Sequence, residues 1–584
     1  MSQHVMKMGE VEALLGQGRA AEARVICQRL AQSAPRDPGV QRLMSQALLA
    51  CGQPAPALHY AQVASALVPG HVGLMLEWAN LLIICGKAEK ALDVLAKAHK
   101  AEPFNVAVLS IRVGALLDLN RCVESLETCE KALAIDPENP GLISQHAACL
   151  LNVGRAPEAM TRLLPLAQAP GASSVMVGGA ALVSNYCPGW SRADQLALHA
   201  AYGAALEREL GPTLVREYPP RGDGKVRVGI VSPDLRSHSV AWFIEPLFEH
   251  LDRSKFELVV YQTNALADAV TARLKALVPL WRVMDTVSDA GLAEAIYADR
   301  VDVLVELSGH THAHSLGCMH LRPAPVQLTY LGYPNVTGVR SMDGRVVDGW
   351  TDPVGVDEAG CEALVRMDRP FVCYKPPREQ RAVGPLPCSR LGRVTFGSFN
   401  NAQKLNEVTM ALWARVLEAV PGSRLLLKGV AFSEVALREQ VLARFAAHGA
   451  DRVEILPRAA TTAEHLALYD QVDIGLDPLP YNGTTTTCEA LWMGVPVVTL
   501  AGGTHAGRVG VSLLEAVGLG ELVAGDEAGY VRIAAALAGD VDRLSGLRSG
   551  LRARVEGSAL CDGVGFCRGF ERAALAAARA CGRV

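Results

Sequence analysis

The chemistry of this chain concentrates in residues 476–499, LDPLPYNGTTTTCEALWMGVPVVT. An apolar run that reads as a buried strand gives way to Asn482-Gly483. Four hydroxyls, Thr484, Thr485, Thr486 and Thr487, then crowd the point where a helix should begin. The first turn of a helix has unpaired N–H groups and the positive end of the helix dipole, so such a turn after a strand suits a phosphate. Glu489 falls within the expected first turn, where a carboxylate can accept both hydroxyls of a ribose. Thr486-x-x-Glu489 is also the spacing of a capping box, a structural device. The extra threonines, the Asn-Gly turn, and Asp473 and Asp477 on the incoming strand point past a cap to a ligand. Met493-Gly494-Val495-Pro496 stops the helix and starts the next strand. A diphosphate between the helix start and a lysine, a ribose on Glu489 and no metal ligands make up a nucleotide-sugar donor site.

The elements that must hold these groups are legible around them. The chain has 584 residues, half of them hydrophobic and a fifth charged, enough for about three domains with large cores. A net charge of −4 and scattered arginines give no reason to expect nucleic acid as a partner. Fifteen cysteines without a CxxC pair or Cys/His ligand spacing argue for a reducing compartment and against structural zinc. The N-terminus has no apolar signal core. The longest apolar segment, Gly73–Cys85, is interrupted by Glu77 and Asn80 and is too short to span a bilayer. A cytoplasmic protein without a membrane partner is expected.

The N-terminal third repeats every 34 residues. Pro35, Pro69, Pro103 and Pro137 form one register, and Gly18, Gly52, Gly86, Asn120 and Gly154 a second. Ala23, Ala57, Ala91, Ser125 and Ala159 form a third, and Ala64, Ala98 and Ala132 a fourth. Gly or Asn ends a first helix in the left-handed conformation, the small residue lets two helices approach, and Pro closes the second helix. The pattern resembles the tetratricopeptide repeat over residues 1–171, an α-solenoid whose concave face holds a peptide or protein. Trp78 and most Met, Cys and Leu positions in it read as core between repeats. Gln168–Pro188 breaks the period, Arg192–Leu210 reads as a capping helix, and Tyr218–Gly224 as a linker, so residues 172–224 form a connection.

From Lys225 strands and helices alternate. Strands are expected at Val226–Ser232, Phe256–Gln262, Val301–Leu307, Val326–Leu331 and Gly344–Val347, with helices over Asp234–His250 and Ser288–Arg300. After a proline-rich crossing, Pro370–Pro387, a second unit offers strands Val394–Ser398, Arg424–Leu427, Val453–Leu456 and Val472–Leu476. Its helices are Val408–Val420, Ser433–Ala447, Thr462–Gln471, Ser512–Val517 and Glu527–Leu537, with a helical tail Arg543–Ala580. Two doubly wound α/β domains, 225–385 and 386–584 with the tail, are therefore expected, with ligands beyond the carboxyl ends of the strands.

The segments VGIVSPDLRSHSV, ELSGHTHAHSLGCMHLRPAPVQLTYLGYPNVTG, VTFGSFNNAQKLN, DIGLDPLPYNGTTTTCEALWMGVPVVT and AGGTHAGRVGVSLLEAVGLGELVA together resemble the O-GlcNAc transferase family, glycosyltransferase family 41, and within it the SPINDLY branch. The resemblance implies a GT-B fold of two Rossmann-like domains behind tetratricopeptide repeats. It also implies a metal-independent inverting transfer of one sugar to protein Ser or Thr, with no cofactor. The donor is UDP-GlcNAc in one branch and GDP-fucose in the other. Transfer to a lipid or glycan acceptor, or a non-catalytic repeat scaffold, are the alternatives.

Residue by residue, Lys404 matches the family lysine on the donor diphosphate, and Asn401 a residue near nucleotide or acceptor. Thr484, Thr485 and Thr486 match the phosphate turn and Glu489 the ribose ligand. Animal enzymes have His and Asp where this chain has Thr484 and Glu489, which follow the SPINDLY pattern. His465 matches a histidine against the nucleobase. His505 and Arg508 lie in the loop after strand Pro496–Leu500, beside the same cleft. His238 matches a histidine that faces the sugar, a positioning group first and a base second. His310 and Thr311 are expected to point toward the cleft, and Leu331, Gly332 and Pro334 to form the loop under the donor sugar. Asp302 replaces another family histidine and receives no role. His312, His314 and His320 are too poorly spaced for a metal, Asp540-Val541-Asp542 reads as a solvated face, and Gly344 stands where relatives commonly have Tyr.

Overall fold

The computed structural model describes residues 3–219, 224–356, 362–377 and 381–580. Residues 220–223 of the expected linker and 378–380 of the proline-rich crossing lie outside the described residues. Two compact units divide at Val153, residues Asp285–Val287 going with the first.

The first unit is an α-array: Gln3–Gly16, Ala20–Ser33, Pro38–Ala50, Pro54–Leu67, Val72–Ile84, Ala88–Ala101, Val106–Asp118, Cys122–Ile135 and Pro140–Asn152. The registers have the expected physical meaning. Gly18, Gly52, Gly86 and Asn120 all have φ between 56° and 74°. Ala23, Ala57, Ala91 and Ser125 are fully buried, as are Ala98 and Ala132, and Ala64 nearly so. Trp78 packs against this core half-buried. A fifth register, two residues after each proline, went unread in the sequence. Asp37, His71, Asn105 and Asn139 each accept a first-turn N–H of the following helix and set its start.

The second unit opens with helices Ala156–Ala167, Ser174–Ser184 and Arg192–Leu210. Its boundary precedes the expected array end at residue 171, because Ala156–Ala167 belongs here and packs on Ser174–Ser184. Ser174–Ser184 was not expected as a helix. Its glycines and serines resemble a loop, but its apolar residues bury it against Arg192–Leu210, whose start is a Ser191/Asp194 capping box.

Two parallel sheets follow. The first comprises β1 (Val226–Ser232), β2 (Phe256–Gln262), β3 (Leu280–Val283), β4 (Val303–Glu306), β5 (Val326–Thr329), β6 (Gly344–Asp348) and β7 (Ala363–Met367), in order β3-β2-β1-β4-β5-β6-β7. The second comprises β8 (Thr395–Ser398), β9 (Arg424–Lys428), β10 (Val453–Leu456), β11 (Ile474–Leu476), β12 (Val497–Leu500) and β13 (Val523–Ala524), in order β10-β9-β8-β11-β12-β13. Both are doubly wound, and the central strands β1, β4, β8 and β11 are almost wholly buried. Strands β3 and β7 were missed because they lie at sheet edges, are partly exposed and carry arginines, which weakens the apolar signal.

The tail also differs from expectation. It is two helices, Val541–Glu556 and Gly563–Ala580. The first packs on Thr485–Trp492 in the second half, whereas the last crosses back onto helix Ser239–His250 and β7 of the first half. Gly344 is a buried residue of β6, where a Cβ would lie 2.8 Å from Val365 Cγ2, so it belongs to the sheet interior.

Candidate active site

In the second sheet the strand order reverses between β8 and β11, and ligand crevices form at the carboxyl ends of strands at such a switch point. β8 runs into Phe399-Asn400-Asn401 and the short 3-10 turn Ala402–Lys404. β11, paired with β8 at Ile474↔Phe396, runs into Asp477–Thr484 and the helix Thr485–Trp492. Topology alone brings Lys404 to the threonine turn.

Lys404 Nζ donates to Asn482 O at 2.6 Å, lies 3.5 Å from Asn400 Oδ1 and sits 4.1 Å from the centroid of the Tyr481 ring. Burial lowers its pKa to about 8, against a smaller opposing pull from Asp477. Asp477 is itself pushed up to about 6 by burial, while the Gly483 N–H and the Thr499 hydroxyl favour its ionised form. The neighbouring Asn400 also accepts the Thr486 hydroxyl at 3.1 Å. Asn401 is exposed, so the residue of this pair that meets both Lys404 and the threonine turn is Asn400.

The threonine helix corrects two sequence expectations. Thr484 is the N-cap and makes no side-chain capping bond, and Thr487 bonds back to Gly483 O at 3.2 Å. No Thr486/Glu489 capping box forms. Glu489 is the fifth residue of the helix, beyond its first turn, so the first-turn N–H groups stay uncapped for an anion. Gly483 allows this packing: a Cβ there would lie 2.6 Å from Thr486 Oγ1 and 2.7 Å from Thr487 Oγ1.

Glu489 is held from the other side. His465 Nε2 is 2.8 Å from Glu489 Oε2, and His465 Nδ1 is 2.9 Å from Lys428 Nζ. An ammonium only donates, so Nδ1 accepts from Lys428 and Nε2–H donates to Glu489. Lys428 went unread in the sequence. Its signal was a lysine ending the apolar strand RLLLK, at the carboxyl end where ligands collect.

His505 and Arg508 take another direction. His505 Nδ1 donates to Asp352 Oδ2 at 2.6 Å, and Arg508 Nε to Trp350 O at 2.8 Å. Both are engaged by the turn after β6 in the first half, which makes them ties between the halves rather than members of the threonine-turn cluster. Sequence proximity to the cleft does not specify which wall a side chain meets.

In the first half, His238 N-caps helix Ser239–His250, its Nδ1 accepting from Val240 N at 3.3 Å. Burial lowers its pKa, partly opposed by Asp234 at 3.8 Å. That cap occupies Nδ1 and leaves the proton of the neutral ring on Nε2, an arrangement suited to positioning before proton abstraction. His310 does not face open solvent. It is buried against the rings of Tyr202, His199 and Tyr333, with Nε2 on Thr337 O at 2.8 Å. The sequence does not disclose this, because helix Ser174–Ser184, whose Gly178 abuts His310, is rich in Gly and Ser and resembles a loop. Thr311 donates to Ser308 O. Leu331 has φ +47°, and at Gly332 a Cβ would lie 1.6 Å from Leu307 O, so this loop lies flat on the loop after β4. Pro334 follows Tyr333, whose hydroxyl meets Asn185 and His199.

Among the described residues no group of three or more His, Cys, Asp or Glu side chains is arranged to hold a metal. His320 is committed to Gly211 O, and Asp540 caps Val541–Glu556. Among the described residues no helix is long and apolar enough to cross a membrane.

The chain is similar to known proteins. The chain is 44% identical over 380 residues to an Oryza sativa subsp. japonica protein named "Probable UDP-N-acetylglucosamine--peptide N-acetylglucosaminyltransferase SPINDLY", covering 63% of this chain and 41% of that one. An Arabidopsis thaliana protein of the corresponding name with SEC in place of SPINDLY is 27% identical over 364 residues, covering 60% and 37%. The chain thus spans about two fifths of the length of these curated relatives. A solved mutant of the Thermobaculum terrenum O-GlcNAc transferase superposes with a TM-score of 0.81 at 30% identity, covering 87% of this chain and 98% of that one. The profile of glycosyl transferase family 41 matches residues 214–375 and 388–570, and the chain belongs to that family.

Proposed function

We propose that this chain is an inverting protein O-glycosyltransferase that moves a single sugar, GlcNAc from UDP-GlcNAc or fucose from GDP-fucose, to Ser or Thr hydroxyls of proteins held by the repeat array. The observation that carries this reading is the half-buried Lys404 ammonium, which donates to Asn482 O beside an uncapped threonine helix. As the bond between sugar and phosphate breaks, negative charge grows on the departing diphosphate. A fixed ammonium and first-turn N–H groups stabilise that charge where water is excluded. These groups fill the charge-neutralising role a metal ion plays elsewhere, so no metal is required. The acceptor hydroxyl attacks the anomeric carbon from the face opposite the diphosphate, which inverts the centre in one displacement. Its proton leaves to solvent or to a base, with His238 orienting the reactants. Glu489, set by His465 and Lys428, takes the ribose hydroxyls.

The names carried by the relatives support GlcNAc and a peptide acceptor, whereas Thr484 and Glu489 support the fucose branch. Purified protein is to be assayed for donor turnover and thermal stabilisation with UDP-GlcNAc and GDP-fucose, with Lys404→Ala alongside. Turnover with one donor, lost by at least about a hundredfold in Lys404→Ala, is expected and identifies the sugar. Equal turnover in the variant, or none with either donor, overturns the reading.

A further inference from the structure

Lys404 is reached from an unexpected direction. Between helices Ser174–Ser184 and Arg192–Leu210 the chain turns through Asn185-Tyr186-Cys187. The two residues at this turn face different halves of the α/β region. Asn185, 1% exposed, donates from Nδ2 to Tyr333 Oη at 2.9 Å and accepts from Asn335 Nδ2 at 2.9 Å, both in the first half. The Tyr186 ring packs on Tyr481 of the second half, with centroids 4.9 Å apart and planes inclined at 45°. Tyr481 in turn lies 4.1 Å beneath the Lys404 ammonium. A cation over an aromatic face is attracted by the ring's quadrupole, more strongly as water is removed. The stack Tyr186–Tyr481–Lys404 joins a helix pair outside both sheets to the group that meets the leaving diphosphate.

We propose that Tyr186 is a positioning residue for the transfer step: its ring fixes Tyr481 under Lys404 and keeps the ammonium shielded from water. This rests on the reading of Lys404 as the diphosphate cation. The role is indirect: the Tyr186 ring packs on Tyr481, and Tyr481 lies beneath the Lys404 ammonium. Asn185 anchors the turn on the first half, so the stack is fixed at both ends. Besides Tyr481, the groups around the ammonium are Asn482 O, Asn400 and the carboxylate of Asp477.

The test compares wild type with Tyr186→Ala, Tyr186→Leu and Tyr186→Phe in the full chain. In wild type kcat/KM should fall above a pH of about 8, where Lys404 loses its proton. Removing the ring lets water reach the ammonium and relieves the desolvation that dominates its lowered pKa, so the Ala and Leu variants should shift that limb upward by about one pH unit and lower kcat/KM at pH 7 about tenfold. Tyr186→Phe should restore both. A second readout needs no donor: the pH dependence of Lys404 acetylation, followed by mass spectrometry in the donor-free protein, should move by the same amount. An unmoved limb and an unmoved acetylation profile, with only a lower Tm, would overturn the proposal. A shifted acetylation profile in a chain whose Lys404→Ala variant keeps its turnover would instead retire the diphosphate reading and leave the stack intact.

Discussion

Lys404 shows how one residue's surroundings set the pH range in which it is charged. An exposed lysine titrates near 10.5, and enclosure by Tyr481, Asn482 and Asn400 brings this one to about 8. Between those values the folded, donor-free chain holds the side chain neutral while the unfolded chain holds it charged. The unfolded state binds more protons there, so this residue's contribution to stability rises with pH from about 8 to 10.5. On the proposed reading a bound diphosphate reverses the preference, because it pairs with the ammonium and so binds the form in which Lys404 has taken up a proton from solvent. The affinity of UDP or GDP should therefore be flat below about 8 and weaken by up to about tenfold per pH unit above it. Calorimetric titrations of both nucleotides from neutral to alkaline pH measure this, with Lys404→Met expected to bind more weakly and to lose the pH dependence. A wild-type affinity independent of pH would mean that the ammonium does not meet the diphosphate.

At the scale of elements, one glycine register carries two different loads. Gly18 and Gly154 occupy the same repeat position with φ of 74° and 77°. A Cβ on Gly18 would meet nothing, whereas one on Gly154 would lie 2.6 Å from Leu405 O and 2.8 Å from Ala402 O, the turn that presents Lys404. Arg444 joins the two by donating to both Gly154 O and Leu405 O. Gly18→Ala should cost about 1 kcal/mol, the strain of a left-handed alanine, and leave kcat/KM unchanged. Gly154→Ala adds a collision with backbone, so it should cost more and displace the lysine turn, lowering kcat/KM on the order of tenfold or more. Urea melts and steady-state rates of the two variants measure the contrast.

The same register marks what the sequence disclosed. Local rules suffice for a glycine ending a helix, an alanine between two helices or a buried parallel strand, and there the expected elements match to within a few residues. The convergence of β8 and β11 on Lys404 and the threonine turn followed from the alternating pattern and the motif together. The remainder depends on contacts between distant segments. Whether Gly154 abuts the Lys404 turn, whether Asn400 or Asn401 faces Thr486, and that His505 and Arg508 meet Asp352 and Trp350 are settled by tertiary packing. A helix such as Ser174–Ser184, rich in Gly and Ser, forms because it is buried, and its own propensity argues the other way.

At the scale of the whole α/β region, the two halves are held by a small buried charge cluster. Asp352, fully buried, accepts from His505 at 2.6 Å in one half and from Arg345 at 3.1 Å in the other. It also accepts from Arg192, on the helix before the sheets, at 3.0 Å. Beside it Ser512 Oγ donates to Asp348 Oδ2 at 2.5 Å and Arg508 to Trp350 O. Burial alone would raise the Asp352 carboxyl; His505 and Arg345 overcome that and hold it well below the usual carboxylate range. The folded-state value is depressed, so the stabilisation is present above the unfolded value near 3.8 and is lost as pH falls below it. Exposed pairs such as Arg19–Glu22 contribute little because solvent and salt screen them, whereas removing one partner of a buried cluster strands the others and costs about 3–5 kcal/mol. Asp352→Asn keeps the shape and removes the charge that three donors share. It should therefore be destabilised by an amount in the upper range and show a shallower loss of stability between pH 4 and pH 2 than wild type. Glu22→Gln serves as the exposed control and should match wild type in both respects. Because the cluster spans the halves, the Asp352→Asn defect should also appear as earlier proteolysis in the 348–352 turn than in the core of either sheet. A variant as stable as wild type at neutral pH would show that the cohesion of the halves rests on the returning helix Gly563–Ala580 and its packing on β7 instead.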